Sequence, residues 1–174
     1  MYVNFKIITI DNFYPFSKGQ QKRLKTSVIN QIKRANWDNN YPLKKSKFTT
    51  SLYDKLVDTA KNKLGNFKLQ DLNKKICWAV ASNKDFTPSV NWHSHIYTSR
   101  INAVYYLHIP EKMQGGEIQF KNRLGQILTH KPKTNQLLIF PGWMWHNPIN
   151  VESEELRISI NMEIVCDKTM EELF

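Results

Sequence analysis

His93-Ser94-His95, followed closely by Arg100-Ile-Asn-Ala-Val-Tyr-Tyr-Leu107, is the stretch whose reading decides the fold. Its β-branched and aromatic residues favour extended backbone. Side chains on a strand alternate between faces, so Asn102, Val104 and Tyr106 share one face and Ile101, Ala103 and Tyr105 the other. Read as a strand, Val90 to His95 places His93 and His95 on one face with Asn91, and Trp92 and Ser94 on the opposite one. Two imidazoles on one face can grip a single metal ion. A third histidine from a distant strand completes a facial set and leaves the remaining positions open for substrate or oxygen. His146, in the aromatic loop Phe140-Pro-Gly-Trp-Met-Trp-His146, is the candidate. His108 and His130 have no partner at ligand spacing and read as ordinary sheet histidines.

Outward from this stretch, the region from Ile76 onward is a series of short apolar runs broken by turns, the pattern of a β-sandwich or barrel. Ile76 to Ala81, Val90 to His95, Ile101 to Ile109, Glu117 to Phe120, Gln126 to Lys131, Gln136 to Phe140, His146 to Val151 and Leu156 to Val165 are the expected strands. That number suits a jelly-roll. Gly115-Gly116 supplies the unusual backbone of one turn. The tail Thr169 to Phe174 is at most one helical turn.

The N-terminal third has a different period. Val3 to Ile10 reads as a strand ended by Asp11-Asn12 and Pro15. Ser17 can cap a helix reaching about Ala35, with Leu24, Val28 and Ile32 on its apolar face. Trp37 to Lys47 reads as a loop. A second helix is expected to start at Ser51, with Asp54 returning the capping bond, and to carry Leu52, Leu56, Ala60 and Leu64 to Gly65. We expect one domain over 1–174, with supporting elements in 1–75 and the jelly-roll core in 76–166.

With 174 residues and 41% hydrophobic content, the chain can bury a sizeable core. No apolar run is long enough to span a bilayer and no secretory signal is evident, which predicts a soluble, cytoplasmic protein without a membrane partner. The lysine-rich, alanine-poor composition fits an AT-rich bacterial or phage genome. Cys77 and Cys166 are too isolated for a disulfide framework or a zinc motif. The net charge of +10 lies mostly before residue 76, in Lys44-Lys45-Ser46-Lys47 and Lys74-Lys75 among other places. These lysines read as solvated helix faces, and a nucleic-acid partner is not expected. Oligomeric state is not encoded in any pattern we identify.

In order, His93-Ser94-His95, Arg100 to Leu107, Gly115-Gly-Glu-Ile-Gln-Phe120, Pro132 to Phe140, His146 and Arg157-Ile-Ser159 resemble the C-terminal half of the prolyl 4-hydroxylase-like iron(II) and 2-oxoglutarate-dependent oxygenases. The resemblance covers roughly residues 75 to 165, with a weaker echo in Ile8 to Pro15. That family carries His-x-Asp where this chain has His93-x-His95.

The resemblance implies a double-stranded β-helix, a cupin-like jelly-roll backed by the N-terminal helices. It implies Fe(II) held by His93, His95 and His146, and 2-oxoglutarate as cosubstrate. Tyr106 and Asn102 would line the cosubstrate pocket. Arg157 and Ser159, two apart on the last strand, would hold the distal carboxylate, since a planar guanidinium matches a carboxylate fork. Surface pairing of Arg157 with Glu154 or Glu155 is the alternative, and Glu117 is a carboxylate within reach of the site. Trp143 and Trp145 could shield the metal or contact substrate. The implied activity is hydroxylation of a small metabolite, a free amino acid or a peptidyl side chain. His95 keeps two rivals open: a non-catalytic metal- or ligand-binding jelly-roll, and a three-histidine dioxygenase that does not use 2-oxoglutarate.

Overall fold

The structure, a computed structural model, describes residues 5–34, 41–70, 77–86 and 91–174. In chain order the elements are β1 (Ile8–Ile10), α1 (Lys18–Arg34), β2 (Tyr41–Pro42), α2 (Lys47–Leu64), β3 (Cys77–Ser82), β4 (Ile101–His108), β5 (Ile118–Lys121), β6 (Ile127–His130), β7 (Gln136–Pro141), β8 (Trp145–Pro148), β9 (Arg157–Ile164) and α3 (Met170–Leu173). Six strands form one antiparallel sheet in the order β1-β7-β4-β9-β3-β2, and three form another in the order β6-β5-β8.

Alternation decides what each face of the large sheet meets. Ala79 and Ala81 of β3, Ile101, Ala103 and Tyr105 of β4, and Ile158, Ile160 and Met162 of β9 join one apolar cluster with Val28 and Ile32 of α1 and Leu52, Leu56 and Ala60 of α2. Leu52 and Leu56 are fully buried there, each contributing about 1.5–3 kcal/mol of apolar burial. The opposite face sends Val104, Tyr106, Leu138 and Phe140 into a second cluster with Ile118 and Phe120 of β5. That smaller cluster joins the two sheets, and a cavity of about 410 Å³ opens beside it. Mainly β secondary structure in antiparallel sheets with a few helices is the architecture. No helix among the described residues is long and apolar enough to cross a membrane.

Four expectations need correction. The expected strand Val90 to His95 does not form over 91–95, where only an isolated bridge links His93 to His146, and Val90 lies outside the described residues. The backbone turns on itself directly after, where the amides of Thr98 and Ser99 both donate to the His95 carbonyl at 3.0 Å. Helix α2 starts at Lys47, capped by Ser46, not at Ser51. Ser46 Oγ accepts from Thr49 N while Thr49 Oγ1 accepts from Ser46 N, a reciprocal cap, and the Ser51 hydroxyl instead meets that of Tyr14 at 2.6 Å. The expected loop from Trp37 to Lys47 contains β2, whose Tyr41 and Pro42 pair with Ala79 and Trp78 on the edge of the large sheet, where proline's missing donor is tolerated. Its residues 37–40 lie outside the described residues, as do Val3 and Asn4 of the expected first strand. Finally, from residue 77 onward the described residues hold seven strands, β3 to β9, not the eight expected there, because 91–95 supply none.

Candidate functional site

The three histidines singled out from the sequence meet. One ring nitrogen from each of His93, His95 and His146 lies within 4.8 Å of the other two. Backbone bonds bring them there: His93 N donates to His146 O at 3.1 Å, His146 N returns the bond at 2.9 Å, and His95 N donates to Gly142 O at 2.9 Å. The contact at Gly142 is close. A Cβ at that position would collide with the Ser99 carbonyl oxygen and press on that of His95.

The orientation of each ring is fixed through Nδ1. His93 Nδ1 lies 2.8 Å from the Asn91 carbonyl oxygen, His146 Nδ1 lies 3.0 Å from that of Met144, and His95 Nδ1 lies 2.6 Å from Glu163 Oε1. Carbonyl and carboxylate oxygens accept, so each Nδ1 carries the hydrogen, and in a neutral ring the free lone pair is then on Nε2. This is the usual way protein structure readies histidine for a metal. Burial and the neighbouring His93 push His146 down to about 3. Burial also lowers His93 against the raising effect of the Asn91 carbonyl. Both are therefore neutral near pH 7, the form that binds metal. No carboxylate belongs to the group among the described residues, Glu117 included.

Beside the histidines the cavity wall is rich in donors. Arg157 and Ser159 of β9 and Asn102 of β4 line it. Tyr106 shares the face of Asn102, and the guanidinium carbon of Arg157 lies 5.5 Å from the centre of its ring. Among the described residues, four buried side-chain polar atoms have no hydrogen-bond partner: Arg157 Nε, Tyr106 Oη, Asn102 Nδ2 and Ser82 Oγ. Ser82 sits opposite Arg157 in the β3–β9 register. An unpartnered buried polar atom costs about 1–3 kcal/mol, and two of the four belong to Arg157 and Asn102, which line the cavity, as suits a place that takes a ligand. All four can donate, and a carboxylate satisfies donors. Burial pushes the Tyr106 phenol up, opposed by Arg157, and so keeps its proton available. The Asn102 amide is oriented by its Oδ1, which accepts from the Ser99 hydroxyl.

The acidic residues near Arg157 in sequence are engaged elsewhere. Glu154 pairs with Lys84 at 2.5 Å, and Glu155 with Lys25 at 2.8 Å and His108 at 2.6 Å. His130 contacts Gln136 Oε1 at 2.7 Å. Trp143 stacks under Arg123 and Trp145 is half exposed, and neither lines the cavity.

Trp78, Trp92 and Asn161 also line the cavity, and sequence reasoning missed them; Trp92 was expected on the face away from His93. The signal for Asn161 and Glu163 is the alternation of β9, where Arg157, Ser159, Asn161 and Glu163 take turns with Ile158, Ile160, Met162 and Ile164. An unbroken polar stripe opposite a buried apolar one marks a strand with its polar side turned to a site.

The family model described as "Putative 2OG-Fe(II) oxygenase" matches residues 76–163, half of the chain. This chain belongs to that family. Fe(II) and 2-oxoglutarate are accordingly its cofactor and cosubstrate, and the histidine group fits iron. No curated protein matches it in sequence. Among solved structures, the chain is similar to a prolyl 4-hydroxylase from Phytophthora capsici, 18% identical, with a TM-score of 0.65, covering 94% of this chain and 60% of that one. It is similar to a prolyl hydroxylase from Trichoplax adhaerens, solved with a peptide fragment of the hypoxia-inducible factor oxygen degradation domain: 15% identity, TM-score 0.66, 92% of this chain and 84% of that one. A prolyl-4-hydroxylase from Pseudomonas putida gives 13% identity and a TM-score of 0.60, with 92% of each chain covered. The chain thus shares their fold while spanning only 60% of the Phytophthora capsici chain.

Proposed function

We propose that this oxygenase is a cytoplasmic 2-oxoglutarate-dependent dioxygenase that hydroxylates a peptidyl side chain, a free amino acid or a small metabolite. The reading places its site in a double-stranded β-helix spanning 76–166, backed by the N-terminal helices, within a single domain. One observation carries it: three imidazoles with Nδ1 already engaged stand beside a buried arginine whose Nε has no partner.

On this reading His93, His95 and His146 hold Fe(II) through Nε2. Arg157 forks onto the distal carboxylate of 2-oxoglutarate, and the hydroxyls of Ser159 and Tyr106 and the Asn102 amide complete the cradle. Phe140 and Val104, with Trp78 and Trp92, keep the cavity wall largely apolar, which strengthens each charged contact by excluding water. Bound iron would supply the oxidising chemistry from oxygen, with 2-oxoglutarate consumed to succinate and carbon dioxide; the chain's own share is binding, orientation and protection. The likeness to an enzyme solved with a peptide supports a peptidyl substrate.

The ligand group without a carboxylate favours a second reading, a three-histidine dioxygenase that does not use 2-oxoglutarate. The four unpartnered donors argue for the first. Succinate formation by purified protein with Fe(II), oxygen and 2-oxoglutarate tests both. Tight 2-oxoglutarate binding without turnover would point to a non-catalytic module, and no binding at all to the second reading.

A further inference from the structure

We propose that Glu163 is the carboxylate of this metal centre, acting from behind His95 instead of on the metal. The proposal rests on the reading above that His93, His95 and His146 hold the metal. Where the resembling family has a carboxylate two residues after its first histidine, this chain has His95, and His95 Nδ1 lies 2.6 Å from Glu163 Oε1. The other two rings lean on neutral main-chain carbonyls, those of Asn91 and Met144. The one ring that stands in the family's carboxylate position is therefore the one backed by a carboxylate.

Several bonds hold Glu163 for this task. Its backbone sits in the β4–β9 ladder opposite Asn102, and its carbonyl accepts from the Tyr53 hydroxyl at 3.1 Å. Its Oε1 also accepts from Thr98 Oγ1 at 3.0 Å, and its side chain is only 14% exposed. A carboxylate accepting from Nδ1–H turns Nε2 toward the metal position and makes the imidazole a stronger electron donor. It also returns, one ring further out, the negative charge that a carboxylate ligand would have supplied. Glu163 is thus a positioning residue.

Mn(II) affinity by calorimetry, with the Co(II) absorption spectrum as a second readout, tests this on the full chain. Glu163→Ala is expected to weaken Mn(II) binding about 10- to 100-fold, the range for losing such an outer partner. Glu163→Gln keeps the shape and an acceptor but not the charge; it is expected to fall between, with an altered Co(II) spectrum, and remains informative if the alanine variant does not fold. In the His95→Asp background the sign should reverse. Two carboxylates would then face each other, so Glu163→Gln is expected to leave metal affinity unchanged or raise it. Parent-like affinity and spectrum in both Glu163 variants would overturn the proposal, as would an equal loss in both backgrounds, the mark of a purely structural role. A parent that binds no Mn(II), or binds it equally well after His146→Ala, would instead overturn the metal reading and this proposal with it.

Discussion

Arg157 and Tyr106 face each other across the β4–β9 pair, with the guanidinium carbon 5.5 Å from the ring centre and both Arg157 Nε and the phenol oxygen buried without a partner. Tyr106 and Ser159 are opposed in that register, and Arg157 is two residues along. Arg157 lines the cavity, and two neighbouring donors suit a single carboxylate. Arg157→Ala should therefore weaken 2-oxoglutarate binding by about tenfold to a hundredfold, the equivalent of losing a charged hydrogen bond of about 1.5–3 kcal/mol, while Mn(II) affinity stays near that of the parent. Calorimetry with Mn(II) present measures both. Unchanged 2-oxoglutarate affinity would remove Arg157 from the site.

Tyr106→Phe separates the phenol from its ring. The ring is fully buried in the cluster between the sheets, and phenylalanine retains that packing. The hydroxyl makes no close hydrogen bond among the described residues, and Arg157 is the group that acts on it electrostatically. Thermal stability without cosubstrate should therefore stay close to that of the parent, and the rise in melting temperature on adding 2-oxoglutarate with Mn(II) should shrink. A variant with lowered intrinsic stability but a full cosubstrate shift would assign the hydroxyl to the fold instead.

The face of β4 that carries Asn102 and Tyr106 is legible in the sequence, because an eight-residue strand of alternating environments leaves no choice of register once one side is apolar. The histidine pair is legible for a weaker reason. Residues two apart share a side of a strand, yet His93 and His95 converge without one, through the His93–His146 bridge and the bond from His95 N to Gly142 O. The start of α2 is hidden because Thr49 plays the part that Glu or Gln usually takes in a capping box. The place of Glu163 on the polar stripe of β9 is legible, but its contact with His95 is not, since that arises only when β9 is laid beside β4 and the 95–99 turn folds over it, a pairing that local patterns do not carry.

Acid should destabilise the metal-free protein through His146. An unfolded histidine titrates near 6.5, whereas burial holds His146 down to about 3 in the fold. Between those values the unfolded chain takes up a proton that the folded chain does not. Stability fully present above pH 6.5 is then lost as pH falls, by about 1.4 kcal/mol per unit and about 2 kcal/mol at pH 5. His93, also lowered by burial, acts in the same direction. Urea unfolding of metal-free protein at pH 7.5 and pH 5 should show this loss, and His146→Gln should flatten it. Equal pH dependence in parent and variant would show that His146 is not held neutral by the fold.

Metal selectivity is the sharpest consequence of replacing a carboxylate ligand by His95. Three neutral imidazoles still accept Fe(II), but nitrogen sites bind nickel, copper and zinc more tightly in general, and geometry or supply must do the selecting. The backing of His95 by Glu163 restores charge without adding the oxygen ligand that favours harder ions. Protein purified without chelators should therefore carry a mixture of divalent metals by mass spectrometric analysis, with iron a minor part. Chelation followed by anaerobic Fe(II) loading should raise 2-oxoglutarate decarboxylation, while Zn(II) added first should block that gain. His93→Ala and His146→Ala should each reduce bound metal to background, since removing one of three ligands leaves two, too few to hold an ion tightly. Stoichiometric metal in the His146→Ala variant would mean that the ion sits elsewhere, and iron as the dominant metal in freshly purified parent would show that the surrounding shell, not the ligand type, sets selectivity.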